Sequence, residues 1–364
     1  MITLRDTKRF ECPLLKELLG TIRMRRRIPD ALWDDFKARF AVAGDVRLQE
    51  SGFRSPECLF AAKDWNSVAR EQLRATRAEA AERGAVVHYV FSVDRAAHAL
   101  SPDEAKAAWQ HANSTDTGRL VPILGLYVGM RVRLMARIAR HRGLVNDAPG
   151  TVVGFNFHEK EDAVSEEHLQ RGWRRCKYLP AAVLVEFDDH IDKCGACKKR
   201  WGHCKADCGA NKKLVEGTVF VDDFPPGVVP VEMRQDQTKQ IYLAPGQKRS
   251  FQRRQIPLSH LSKLTSQGVQ GGTFDWAIVN ATAPDEIKTE LARAEYWAHL
   301  YVMISRVRRL DRLLILNPPA NLREFLEAGP PEYVLRELER VEGLAAYARR
   351  TRPGVWRHSD RSFR

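Results

Sequence analysis

The feature that most constrains this chain is a change of texture in its middle. From about Val121 to Val231, short β-rich runs alternate with turn residues: VGMRVRLMARI, GLVNDAPG, TVVGFNF, AAVLVEFDD, GTVF and GVVPVEM. Strands this short and this closely spaced predict a small antiparallel barrel rather than a parallel sheet. Asn146-Asp-Ala-Pro-Gly150 reads as a tight turn within it, because Asn, Asp, Pro and Gly each favour turn geometry.

The flanks read differently. Cys58-Leu-Phe-Ala-Ala is a short apolar run, Asp64 suits the start of a helix to about Arg83, and Gly84 suits its end. Val86-Val-His-Tyr-Val-Phe91 follows as a buried strand, and strand–helix–strand order predicts a parallel α/β sheet. After Gln247 this pattern returns. Phe274 to Val279 reads as a strand, Asp285 to Arg308 as a helix, and Leu313-Leu-Ile-Leu316 as a strand stopped by Pro318-Pro319. Asn321 to Gly343 reads as helical with a break at Pro330-Pro331. The first ~50 residues also read as helical. There Pro29 and Asp30 suit a helix start, with Leu32, Phe36 and Phe40 on one stripe. The expected fold class is thus α/β, a parallel-sheet domain interrupted by a β-rich insertion.

The 364 residues suffice for two or three domains, and 44% apolar with 29% charged residues argues against disorder. A net charge of +13 favours polyanionic partners, either nucleic acid or an anionic membrane surface. No apolar run reaches the ~20 residues of a membrane span, and MITLRDTKRFECPLL is unlike a signal peptide. An intracellular protein is expected, in the nucleus or mitochondrion, so the sequons at Asn113 and Asn280 carry no meaning.

Seven cysteines make an odd set, which argues against a disulfide framework. Four are clustered as Cys194-x2-Cys197-x6-Cys204-x3-Cys208, with His203 beside the third. Two close pairs of thiolates can wrap one tetrahedral Zn²⁺, and the metal would supply order to a segment poor in apolar residues. The alternative is four reduced thiols on a loop. Lys193, Lys198, Lys199, Arg200, Lys205, Lys212 and Lys213 surround the cluster against the single acid Asp207, and Trp201 sits among them. A basic rim with one aromatic suits single-stranded nucleic acid, by phosphate neutralisation and base stacking. Lys199, Arg200 and Trp201 are the candidate contacts. Arg349, Arg350, Arg352, Arg357, Arg361 and Arg364 add a basic tail.

Two stretches carry a resemblance to a known family. Tyr301-Val-Met-Ile-Ser-Arg-Val-Arg-Arg-Leu-Asp-Arg-Leu-Leu-Ile-Leu316 resembles the sixth conserved motif of superfamily-one DNA helicases of the PIF/RecD type, a helix leading into a strand. The resemblance places the family's arginine finger on Arg306. A guanidinium there would neutralise charge building on the γ-phosphate during phosphoryl transfer. A purely structural reading makes the segment a basic helix end, for which Arg308 and Arg309 would serve. Arg253-Arg-Gln-Ile-Pro-Leu-Ser-His-Leu-Ser-Lys-Leu-Thr-Ser-Gln-Gly268 resembles the fifth motif, Arg-x-Gln-Phe-Pro-Leu followed by a helix ending in His-Lys-Ser-Gln-Gly. Ser266, Gln267 and Gly268 match, whereas Leu264 and Thr265 stand where His and Lys are usual, and the expected helix is about three residues short. The resemblance implies that Thr265, Ser266 and Gln267 meet DNA and that Gly268 borders the nucleotide.

Weaker matches keep the same order. Val128-Gly-Met-Arg-Val-Arg-Leu, Gly143-Leu-Val-Asn-Asp-Ala-Pro-Gly-Thr-Val-Val, Ala182-Val-Leu-Val-Glu-Phe-Asp188 and Val229-Pro-Val231 are similar to strands of the family's inserted Src-homology-like barrel. Leu18-Leu-Gly-Thr-Ile-Arg23 resembles the fourth motif, which makes Arg23 a candidate γ-phosphate contact. The resemblance implies a RecA-like parallel-sheet domain interrupted by a small antiparallel Src-homology-like β-barrel with a zinc-type cysteine insertion. The implied boundaries are a helical connector at 1–56, the domain's first part at 57–120, the barrel at 121–245 with the cluster at 190–213, the second part at 246–320, and C-terminal helices with a basic tail at 321–364.

No Gly-x-x-x-x-Gly-Lys-Ser/Thr loop is present; Pro245-Gly-Gln-Lys-Arg-Ser250 is the nearest lookalike, and Phe187-Asp-Asp189 imitates a Mg²⁺-holding strand end. The resemblance therefore implies the C-terminal half of a motor, with ATP and Mg bound only alongside a P-loop domain, in the same protein or another chain. Its DNA would be single-stranded or forked. Alone it is expected to be inactive as an ATPase. The alternative is a non-enzymatic, zinc-stapled, basic nucleic-acid-binding module derived from a helicase.

Overall fold

The computed structural model describes residues 10–139, 144–188, 224–225, 227–244, 246–284, 287 and 289–351. The four clustered cysteines, Lys199, Arg200 and Trp201 lie outside the described residues. The chain divides into two compact units, one formed by 1–63 with 265–364 and the other by 64–264.

The first unit is built on a parallel sheet with strand order Phe40–Ala41, Leu313–Leu316, Ala277–Asn280, Leu59–Ala62. All four residues of Leu59–Ala62 are buried, as are Ala277 to Val279 and Leu313 to Ile315. Such continuous apolar runs are what a strand covered on both faces requires. Helix Pro13–Arg23 buries Leu15, Leu18, Leu19 and Ile22, and Asp30–Lys37 buries Leu32 and Phe36. Each such side chain contributes roughly 1.5–3 kcal/mol relative to exposure. Phe40 leaves the expected helical stripe for the first strand, yet it still packs edge-on to Phe36 and Trp33. Gly52 lies under Trp276, where a Cβ would overlap the indole. The helix expected from Asp285 to Arg308 is shorter, Glu290–Ile304, capped by the Thr289 hydroxyl. Leu322–Ala328 and Glu332–Thr351 close the chain on either side of the Pro330-Pro331 break.

The second unit carries a five-stranded antiparallel sheet in the order Val228–Glu232, Ala182–Phe187, Pro149–Asn156, Arg131–Leu134, Leu258–His260. Val132, Leu134, Val152, Val183, Val185, Phe187, Val229, Val231 and Leu258 share its core. The expected turn at Asn146 to Gly150 forms, with Asp147 at φ 66 and the Ala148 carbonyl accepting from Leu134 N. Gly150 sits where a Cβ would come within 2.7 Å of the Glu186 carbonyl oxygen.

Three expectations are corrected. Val87–Phe91 does not join the parallel sheet; it pairs antiparallel with Ile123–Leu126 and parallel with Trp173–Arg175. An apolar run identifies a buried strand but not its partner. Its neighbour, helix Trp65–Glu82, belongs to the same unit: Ala80 and Val87 share a core with Leu126 and Val132. The inserted unit therefore runs from Asp64 to Leu264, wider than the expected 121–245.

The third correction concerns 253–268, where a helix was expected. The segment is extended as Gln252–Gln255, Leu258–His260 and Lys263–Thr265. Pro257 disfavours helix at the residue before it, and Leu258 to His260 find ladder partners on Arg131–Leu134. The Arg-x-Gln opening of this segment is a packing device. Arg253 is fully buried, with Nε and Nη2 each 2.8 Å from the Asp94 carboxylate, and Nη2 also donates to the Ala108 carbonyl. Gln255 donates to the Val90 carbonyl.

Candidate functional site at the end of the parallel sheet

In an open parallel α/β sheet, ligands bind outside the carboxyl ends of the strands. In the first unit those ends are Ala62, Asn280 and Leu316, which lie in register. Asn317 follows with φ 52 and donates from Nδ2 to Asn280 Oδ1 at 3.1 Å.

The turn of residues 265–268 is fixed at this edge. Ser266 N donates to the Ala62 carbonyl (2.9 Å), Gly268 N to Thr265 Oγ1 (3.3 Å), and Val269 N to the Thr265 carbonyl (3.1 Å). Thr265 and Ser266 are buried, whereas Gln267 and Gly268 are exposed. Of the four residues expected to meet DNA or nucleotide, two thus brace the turn with their side chains and two face solvent.

Helix Glu290–Ile304 backs the turn. Ser266 Oγ lies 2.6 Å from His299 Nδ1, and Tyr296 Oη donates to the Ala281 carbonyl at 2.6 Å. Burial holds the half-buried His299 imidazole below its ordinary value, Lys63 adds to this, and Glu295 opposes it. His299 is the residue that sequence reasoning missed. The one signal available was an imidazole within the otherwise apolar run Tyr296 to Ile304.

Arg306 follows the C-terminus of the same helix. Its Nε donates to the Val302 carbonyl (2.7 Å), Nη2 to Ser305 Oγ (2.6 Å) and Nη1 to the Gly272 carbonyl (3.4 Å). Phe274 N donates to the Arg306 carbonyl at 2.9 Å. One helix therefore touches the loop of residues 265–274 at both ends, through His299 and through Arg306. Arg308 and Arg309 answer to Glu11 and Asp311. The bond to a last-turn carbonyl of the helix, foreseen for Arg308 and Arg309, is instead made by Arg306 through Val302. Arg23 is exposed in the last turn of Pro13–Arg23. A cavity of about 340 Å³ in this unit, lined by Arg25, Arg293, Trp297 and Phe325 among others, includes none of the predicted site residues.

A separate buried cluster lies in the second unit. Glu79 accepts from Tyr127 Oη at 3.0 Å and lies 3.1 Å from His260 Nε2, while Ser262 N donates to His260 Nδ1. Burial alone would raise the Glu79 carboxyl, but His260, Lys263 and Tyr127 outweigh it and leave it below its ordinary value. Burial lowers His260 against the pull of Glu79. The pair is thus a carboxylate and a neutral imidazole protonated at Nε2, which pins helix Trp65–Glu82 to strand Leu258–His260. Among the described residues no group of three or more His, Cys, Asp or Glu is placed to hold a metal. Also among them, no helix is long and apolar enough to cross a membrane.

By fold the chain is similar to Pif1 helicases. It matches Bacteroides Pif1 bound to ssDNA with a TM-score of 0.51 and 15% identity, over 94% of this chain and 56% of that one. It matches Bacteroides Pif1 in complex with ADP-AlF3 and ssDNA with a TM-score of 0.50 and 15% identity, over 93% and 56%. A structure of two coordinating Pif1 helicases at forked dsDNA gives a TM-score of 0.50 at 14% identity, over 93% and 54%. The chain spans little more than half the length of these proteins, and at such identity the likeness is one of fold. No protein-family model matches the chain, and no curated protein matches it in sequence.

Proposed function

We propose that this chain is the C-terminal part of a PIF/RecD-type DNA helicase: the second RecA-like domain, with the five-stranded antiparallel sheet as its inserted Src-homology-like barrel. The observation that carries this reading is that one helix joins two elements, the 265–268 turn and the Arg306 segment that follows it. Helix Glu290–Ile304 meets Ser266, beside the exposed Gln267 and Gly268, through His299, and accepts from Arg306 at the Val302 carbonyl. Strand contact and phosphoryl-transfer chemistry are coupled if the loop meeting the strand and the group meeting the γ-phosphate move together. In this reading Gln267 meets single-stranded or forked DNA, Thr265 and Ser266 hold the turn, Gly268 and Arg23 border the nucleotide, and Arg306 supplies the finger. ATP and Mg then require a P-loop domain, in cis or in trans. Arg306 must release the Gly272 carbonyl to reach a phosphate.

In the same reading Cys194, Cys197, Cys204 and Cys208 hold one Zn²⁺, and Lys199, Arg200 and Trp201 extend the strand contact. The test is ATP hydrolysis by the purified chain with and without single-stranded DNA. The chain should bind DNA and turn over no ATP; DNA-stimulated turnover abolished by Arg306→Ala would refute the half-motor.

A second reading, a non-enzymatic nucleic-acid-binding module, is favoured by the folded-back Arg306 side chain, bonded to its own helix and to Gly272. It is distinguished by adding a P-loop domain: a motor half gains Arg306-dependent hydrolysis, and a module does not.

A further inference from the structure

Ser266 is almost fully buried, so its hydroxyl proton needs an acceptor, and a buried orphan donor costs about 1–3 kcal/mol. Among the described residues the bond made by that hydroxyl is the one to His299 Nδ1, at 2.6 Å. A hydroxyl that must donate makes Nδ1 the acceptor and leaves the ring proton on Nε2. The neighbours agree with an uncharged ring. Lys63, following strand Leu59–Ala62, opposes a second positive charge, and among the described residues Glu295, on the imidazole's own helix, pulls the other way.

We propose that His299 is a positioning residue for the turn of residues 265–268: by accepting the Ser266 proton at Nδ1 it fixes the form in which Gln267 and Gly268 face solvent. This rests on the reading above only in taking that turn as the strand-binding element. The bond also has a built-in direction. Protonating His299 makes Nδ1 a donor, strips the Ser266 hydroxyl of its acceptor inside the protein, and loosens the turn. Because burial lowers the His299 pKa, the latch is complete above the ordinary histidine value of about 6.5 and opens only as pH falls below it.

The test is hydrogen–deuterium exchange of the full chain over residues 263–272, read with single-stranded DNA affinity. His299→Ala should speed exchange on the order of fivefold, the worth of one buried hydrogen bond. His299→Asn, whose amide oxygen falls near the place of Nδ1, should restore protection. Adding Ser266→Ala to His299→Ala should cost nothing further, because both remove the same bond. In wild type, protection should hold near neutral pH and fall in acid, and His299→Asn should flatten that profile. Unchanged exchange in His299→Ala, additive effects of the two alanines, or an Asn variant as loose as the Ala variant would each overturn the proposal. Failure of the wild-type chain to bind single-stranded DNA would instead overturn the strand-binding reading, with the exchange comparison still deciding the role of His299.

Discussion

Arg253 and Asp94 form an ion pair that solvent does not reach, completed by the Ala108 carbonyl. Removing one partner of such a pair strands the other charge, so Asp94→Ala should lower stability by about 3–5 kcal/mol in urea unfolding. His88 illustrates a second kind of burial. It accepts at Nδ1 from Arg174 Nε at 2.8 Å, and burial, helped by the Arg174 and His168 charges, holds it down to about 4. The unfolded chain therefore binds a proton there before the folded one does. That part of stability is intact above the ordinary value near 6.5 and is lost as pH falls toward 4, up to about 3 kcal/mol. Unfolding midpoints between pH 7 and 4 should show this slope in wild type and a shallower one in His88→Gln. At this scale the sequence was half legible. The Ser-Gln-Gly run and Arg306 were singled out by their order along the chain, and the structure adds where each side chain lies. The inward placement of Ser266 was not legible, because its partners, Ala62 and His299, are distant in sequence.

Helix Pro13–Arg23 shows an element that could be read directly, since Leu15, Leu18, Leu19 and Ile22 mark its buried stripe. Leu18→Ala should cost about 2–5 kcal/mol, read from the denaturation midpoint. The hairpin turn at Asn146 to Gly150 was equally plain, but the reason for its glycine was not. A Cβ at position 150 would press on the Glu186 carbonyl and Val185 of the neighbouring strand. Gly150→Ala should therefore destabilise the second unit by about 1–3 kcal/mol, visible as earlier proteolysis of that unit. Pairing was the illegible part. Leu59–Ala62 and Val87–Phe91 are both short apolar runs, yet one lies in the parallel sheet and the other between an antiparallel and a parallel neighbour. Nothing in periodicity distinguishes them. The segment Leu258 to Thr265 misled for a related reason: a motif's usual helix was expected where Pro257 and the Arg131–Leu134 ladder impose strands.

At the scale of the whole molecule, the parallel-sheet unit is assembled from both ends of the chain around an insertion spanning 64–264. The net charge of +13 gives the protein a general pull on polyanions. If the clustered cysteines hold zinc, one equivalent per chain should be found by elemental analysis, and Cys194→Ser with Cys197→Ser should abolish it. The central claim, that this fold presents a single-stranded DNA contact through its sheet-edge turn, is tested most directly by measuring oligothymidylate affinity against salt. The prediction is a log–log slope steeper than about −2, reflecting at least three phosphates neutralised, and a loss of affinity in Gln267→Ala. Absent binding, or binding indifferent to both salt and Gln267, would contradict it.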